Sequence, residues 1–89
     1  MIPYAIRFTK RAEDEAVALD ATILSRIRMA IETKLIVDPE RFSKPLRYTL
    51  RGLRVLRVGD WRVIFKIETH IVVILSVRNR KEGYGNIGA

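Results

Sequence analysis

Apolar residues recur at two spacings along this chain, and the change from one to the other divides it into a helical part and a strand part. Ile2 to Phe8 alternates loosely, with Tyr4, Ile6 and Phe8 on one side, which predicts a first strand. Thr9 is placed to cap a short helix from Lys10 to Leu19, with Glu13, Asp14 and Glu15 early, where the positive end of a helix favours them. Asp20 is a second capping residue. After it, Ile23, Ile27, Ile31 and Leu35 fall four apart and form an apolar stripe on a helix over Ala21 to Val37. Thr22, Ser25, Arg26, Glu32 and Thr33 occupy the other face. Asp38-Pro39 ends the helix, because the residue before a proline is pushed out of the helical region. Two helices joined by almost nothing predict an αα-hairpin.

From Pro39 to Gly52 the chain is polar and basic, punctuated by Pro39, Pro45 and Gly52, and reads as a loop. Leu53 to Val58 is then a strand, Gly59-Asp60 a tight turn, and Trp61 to Ile67 a second strand of clean alternation. Trp61, Val63, Phe65 and Ile67 face one way, and Arg62, Ile64 and Lys66 the other. Glu68-Thr69-His70 turns into Ile71 to Val77, a β-branched run of the kind found in internal strands. Arg78 to Ala89, basic and then glycine-rich, reads as an extended tail. The expected order is β-α-α-β-β-β in one domain over residues 1–89: an α+β fold with a helical hairpin on one face of a mostly antiparallel sheet.

Composition changes this picture through charge. Residues 1–39 carry six basic and six acidic side chains, whereas residues 40–89 carry eleven basic against four acidic. The whole excess of +7 therefore lies in the second half, where arginine outnumbers lysine eight to three. One-signed charge repels itself, and a polyanion is the usual partner that offsets it. The planar guanidinium fork suits phosphate in particular. A solvated basic face is the alternative. With no cysteine, disulfides and thiolate metal sites are excluded. No basic-then-apolar leader pattern opens the sequence, and the longest apolar run, Ile71 to Leu75, is too short to span a bilayer. A cytoplasmic location is expected.

The familiar catalytic sets are missing. The single histidine, His70, lies in a predicted turn, and no Ser-His-Asp set, metal-spaced cluster, glycine-rich phosphate loop or carboxylate pair is evident. Any catalysis would proceed without a metal or cofactor. What remains is Arg54, Arg57, Arg62, Arg80, Lys81 and Tyr84. Arg62 falls opposite the Trp61/Val63/Phe65 face and beside Arg57 across the Gly59-Asp60 turn. Like charges paired across strands are destabilising, which points to an anion between them. Arg80, just past the last strand, falls within reach of the same patch.

LRGLRVLRVGDWRVIF, from Leu50 to Phe65, resembles the central strand pair of the RelE/ParE superfamily of toxins. SVRNRKEGY, from Ser76 to Tyr84, resembles that family's closing motif, a basic cluster followed by tyrosine. The element order is similar as well. For the RelE-like branch the resemblance implies a type II toxin, an endoribonuclease that cuts messenger RNA in the ribosomal decoding site by attack of the 2′-hydroxyl on the adjacent phosphate. On that reading Arg62 holds the scissile phosphate. Arg80 stabilises the transition state or leaving group, Tyr84 stacks on a base and assists proton transfer, and Arg57 is a further basic position. Arg54, Lys44, Arg51, Arg78 and Lys81 would bind RNA. Implied partners are a cognate antitoxin and the ribosome carrying messenger RNA. The nucleolytic pattern also has basic residues at the positions of Leu53 and Val55, where this chain has none. Two rivals stand: a ParE-like toxin acting on DNA gyrase without cutting RNA, and a non-catalytic RNA- or ribosome-binding module.

Overall fold

The computed structural model describes residues 2–46 and 52–85. Strand β1 (Ala5–Phe8) leads into helix α1 (Lys10–Val17) and helix α2 (Ala21–Ala30), which continues through a wider turn over Ile31–Leu35. Four strands follow: β2 (Lys44–Pro45), β3 (Arg54–Val58), β4 (Trp61–Glu68) and β5 (Ile71–Asn79). A single 3₁₀ turn, Arg80–Glu82, comes last. Both expected caps form. The Thr9 hydroxyl accepts from the Ala12 amide (3.1 Å), and the Asp20 carboxylate accepts from the Thr22 amide (3.2 Å). The stripe on α2 is buried as its spacing requires, with Ile27, Ile31 and Leu35 in the core and Ile23 packed beside them.

The α+β class and the helical hairpin stand, and the sheet corrects two expectations. It has five strands in the order β1-β5-β4-β3-β2. It is mostly antiparallel but not wholly so, because β1 pairs with β5 in parallel, Ala5 opposite Ile71 and Phe8 opposite Ile74. The two helices carry the chain from β1 across the face of the sheet, so the first strand meets the last from the same direction. The expected loop from Pro39 contains β2, a two-residue edge strand paired with Arg54 and Val55. The expected extended tail is ordered in its first part. β5 runs to Asn79, whose side chain accepts from the Lys81 amide while Glu82 accepts from the Asn79 amide.

One irregularity decides which residues of β5 face the core. Ile64 pairs with Ser76 and Phe65 with Ile74, so Leu75 is an extra residue in β5. The bulge lets Val72, Ile74 and Val77 all join Leu56, Val63 and Phe65 beneath the helices, where strict alternation from Ile74 would have chosen Ser76. A smaller apolar cluster of Leu53, Val55 and Ile64, with Leu46 and Leu75 against it, covers part of the opposite face. Among the described residues no helix is long and apolar enough to cross a membrane.

Candidate phosphate-binding site and family

The β3–β4 hairpin builds the first part of the site. Gly59 turns the chain at φ 59°, a left-handed value that favours glycine, and Val58 closes on Trp61. That closure sets Arg57 opposite Arg62, as the sequence pattern requires. On the other side Arg62 pairs with Arg78, so three arginines stand in one row across β3, β4 and β5. Cross-strand partners project from the same face, only about 5 Å apart, and like charges in that arrangement repel.

The three arginines are handled differently. Arg57 is exposed and, among the described residues, makes no hydrogen bond or ion pair. Arg62 is half-buried, and its Nη1 donates to the carbonyls of Gly59 (2.8 Å) and Trp61 (2.9 Å). The main chain thereby fixes the guanidinium plane, and Nε and Nη2 stay available to a ligand. Arg78, expected on RNA, is instead buried at 4 % exposure. Its Nε donates to the Ser76 hydroxyl (2.9 Å), and its Nη1 to the carbonyls of Gly83 (2.9 Å) and Gly85 (3.1 Å). A guanidinium enclosed in this way does not present itself to a phosphate in solution.

The rest of the predicted set is distributed around this row. Arg80 lies next to the hairpin: its amide donates to the Asp60 carbonyl (2.8 Å), and its guanidinium stands 3.6 Å from the Asp60 carboxylate, both side chains exposed. Tyr84 is 37 % exposed and sits between the two carbonyls held by Arg78. Lys44 and Lys81 are exposed. Arg54 points elsewhere. Its Nε donates to the Ser43 hydroxyl (2.7 Å) and its Nη2 to the carbonyls of Glu40 and Ser43, so it braces the chain before β2 rather than joining the row. Arg51 lies outside the described residues. His70 is in the β4–β5 turn, at the far end of β4 from Arg62 and so about 20 Å away at the usual strand rise.

Sequence reasoning missed two contributors. A recess of about 200 Å³ beside Arg57 is lined by Lys34, Arg41, Phe42 and Lys44, with the Arg41 guanidinium 5.5 Å from the Phe42 ring centre. Glu15 was legible only as an acid near a helix start. Its Oε1 accepts from the Ser76 hydroxyl (2.7 Å) and from the Val77 amide (3.0 Å). Nothing local in the sequence signals a contact between residues 61 apart. On the helix side a larger apolar groove of about 430 Å³ lies between β1, α1 and α2. Ile6, Phe8, Ala16 and Ile27 line it, together with the exposed Glu13, Arg28 and Glu32.

The comparisons agree with this architecture. The sequence model of the ParE toxin of type II toxin–antitoxin systems (parDE) matches residues 6–84. The chain belongs to the RelE/ParE superfamily of toxins. This toxin is 34% identical to Toxin RelG of Mycobacterium tuberculosis over 85 residues, covering 93% of the chain and 98% of the relative. It is 32% identical to Toxin RelE of the same organism over 84 residues, covering 92% and 87% respectively. Among solved structures, a chain of the RelBE2 toxin–antitoxin complex of M. tuberculosis superposes with a TM-score of 0.82 at 36% identity, covering 90% of the toxin and 94% of that chain. The matched region takes in both halves of the site, the β3–β4 hairpin and the turn that carries Tyr84.

Proposed function

We propose that this toxin is a metal-independent endoribonuclease that cuts messenger RNA in the decoding site of the ribosome. The observation that carries the reading is the Arg57–Arg62 pair with the Tyr84 turn bonded beside it to the buried Arg78. It gathers phosphate-binding groups and an aromatic ring at one end of the sheet. Arg62, fixed by the Gly59 and Trp61 carbonyls, holds the scissile phosphate through its remaining donors. The RNA 2′-oxygen attacks phosphorus and loses its proton. The bond from phosphorus to the 5′-oxygen breaks, leaving a 2′,3′-cyclic phosphate, and the departing oxygen gains a proton as a 5′-hydroxyl. Arg80 and Arg57 offset the charge that builds on the phosphoryl oxygens, a large share of such catalysis. Tyr84 stacks on a base and aligns the nucleotide, and its hydroxyl assists the proton transfers, with Lys44 and Lys81 along the RNA path.

The described residues place no histidine or free carboxylate in the arginine row, and guanidinium does not act as a base in proteins. The rate must therefore come mainly from alignment of the attacking oxygen, which explains a need for the ribosome to hold the RNA. Control falls to a cognate antitoxin, in keeping with the toxin–antitoxin complex among the structural neighbours. The apolar groove on the helix side suits the apolar face of an antitoxin helix. The site of action would be cytoplasmic.

The test is to map messenger RNA ends on purified translating ribosomes with wild type, Arg62→Ala and Tyr84→Phe. Wild type is expected to create 5′-hydroxyl ends within the decoding-site codon. Arg62→Ala should abolish them, and Tyr84→Phe should reduce them at least tenfold. No new ends from folded wild type would sink the nuclease. A second reading, inhibition of DNA gyrase, is favoured by the matched ParE model and by the burial of Leu53 and Val55 where the nucleolytic pattern has cations. Loss of gyrase supercoiling together with intact messenger RNA would select it.

A further inference from the structure

Arg78 is a buried cation that the proposed chemistry does not use, and two of its three hydrogen bonds flank Tyr84. The carbonyls it holds belong to the residues on either side of that tyrosine, Gly83 and Gly85. By composition, Gly-Tyr-Gly should be among the most mobile stretches of the chain, since glycine restricts its backbone least. Gly83 takes φ 67°, and its carbonyl turns back toward the sheet. The guanidinium is itself anchored. Ser76 accepts from it and passes a hydrogen bond to Glu15 on α1, which also takes the Val77 amide. The carboxylate of Glu15 thus compensates the charge of Arg78 through one hydroxyl.

We infer that Arg78 is a positioning residue that holds Tyr84 in place beside Arg62, through a relay from Glu15 and Ser76, and that it does not itself contact RNA. The inference rests on the nuclease reading for its catalytic consequence but not for its structural one. Arg62 and Arg78 are direct cross-strand neighbours. Fixing the Tyr84 turn onto Arg78 therefore fixes the ring relative to the phosphate-binding guanidinium. The clamp removes, before RNA arrives, the freedom that a tyrosine between two glycines would otherwise lose on binding.

The chain has three tyrosines, Tyr4, Tyr48 and Tyr84, so incorporation of 3-fluorotyrosine gives three ¹⁹F resonances, with Tyr84 assigned from Tyr84→Phe. In wild type the Tyr84 resonance should lie apart from that of an unstructured Gly-Tyr-Gly peptide. In Arg78→Met it should move to the peptide position, while that of Tyr4, packed on the core, stays in place and reports an intact fold. Arg78→Lys keeps the charge without the planar fork and should fall between the two. On ribosomes Arg78→Met should lower the maximal cleavage rate at least tenfold, with the half-saturating ribosome concentration within about twofold. Adding it to Tyr84→Ala, which has no ring left to hold, should cost little more. A Tyr84 resonance unmoved in Arg78→Met, with Tyr4 native, overturns the clamp. So does a rise in half-saturating concentration at unchanged maximal rate, the signature of a direct RNA contact. If Arg78→Met does not fold, Arg78→Lys carries the same two decisions. If wild type cuts nothing but the resonance still moves, the nuclease reading fails and the clamp stands.

Discussion

Arg57 and Arg62 face each other across β3 and β4, and neither has a carboxylate partner among the described residues. Such a pair opposes folding, so Arg57→Gln should stabilise the protein by about 0.2–1 kcal/mol at low salt while weakening RNA cleavage. Urea unfolding at low and high ionic strength would check it, because screening should shrink the gain. An unchanged midpoint at low salt would mean that the guanidinium groups have splayed apart. This pair was legible in the sequence because a two-residue turn fixes the register on either side of it. Arg78 was not. It has the residue type and position of an RNA ligand, and only Ser76, Glu15 and the returning carbonyls of Gly83 and Gly85 turn it inward. A sequence shows that a charge exists, and its burial depends on partners brought from far along the chain.

At the scale of elements, the parts governed by neighbouring residues could be read directly: the caps at Thr9 and Asp20, the stripe on α2, the Gly59-Asp60 hairpin. The parallel pairing of β1 and the short strand β2 could not, since both depend on where distant chain returns. The bulge at Leu75 is the same kind of feature. It changes the face of every residue after it without any glycine or proline to mark it. Two tests belong here. β1 ends at Phe8 while β5 continues to Asn79, and Glu15 takes up the Val77 amide on the stretch left bare. Glu15→Ala leaves that amide and the Ser76 hydroxyl without their acceptor. It should cost about 1–3 kcal/mol in chemical denaturation, most of it recovered by Glu15→Gln, whose carbonyl oxygen still accepts. Thr69, in the β4–β5 turn, has φ 57°, a left-handed value unfavourable for a β-branched residue. Thr69→Asn should therefore stabilise by about 1 kcal/mol and raise the melting temperature by about 4–8 °C.

For the whole molecule, the separation of its faces matters most. The basic row lies across the strands, and the apolar groove lies among the helices, so RNA and an antitoxin helix would approach different surfaces. RNA affinity should follow the charge. Binding of single-stranded RNA by the isolated toxin should weaken log-linearly with salt, and Arg57→Gln should reduce the slope by about 0.7 if that residue neutralises one phosphate. Fluorescence anisotropy across a salt series reads this directly, and an unchanged slope would remove Arg57 from the RNA path. The pairing of β1 with β5 bears on how the molecule comes into being. The first strand to be synthesised finds its place in the sheet only beside the last, a contact of long sequence separation that is slow to form and cannot form early. The nascent chain passes most of its synthesis without a finished sheet, and the turn bearing Tyr84 is made after every strand it leans on. A toxin built in this way completes its sheet, and with it the arginine row, only when nearly all of the chain has left the machine that makes it.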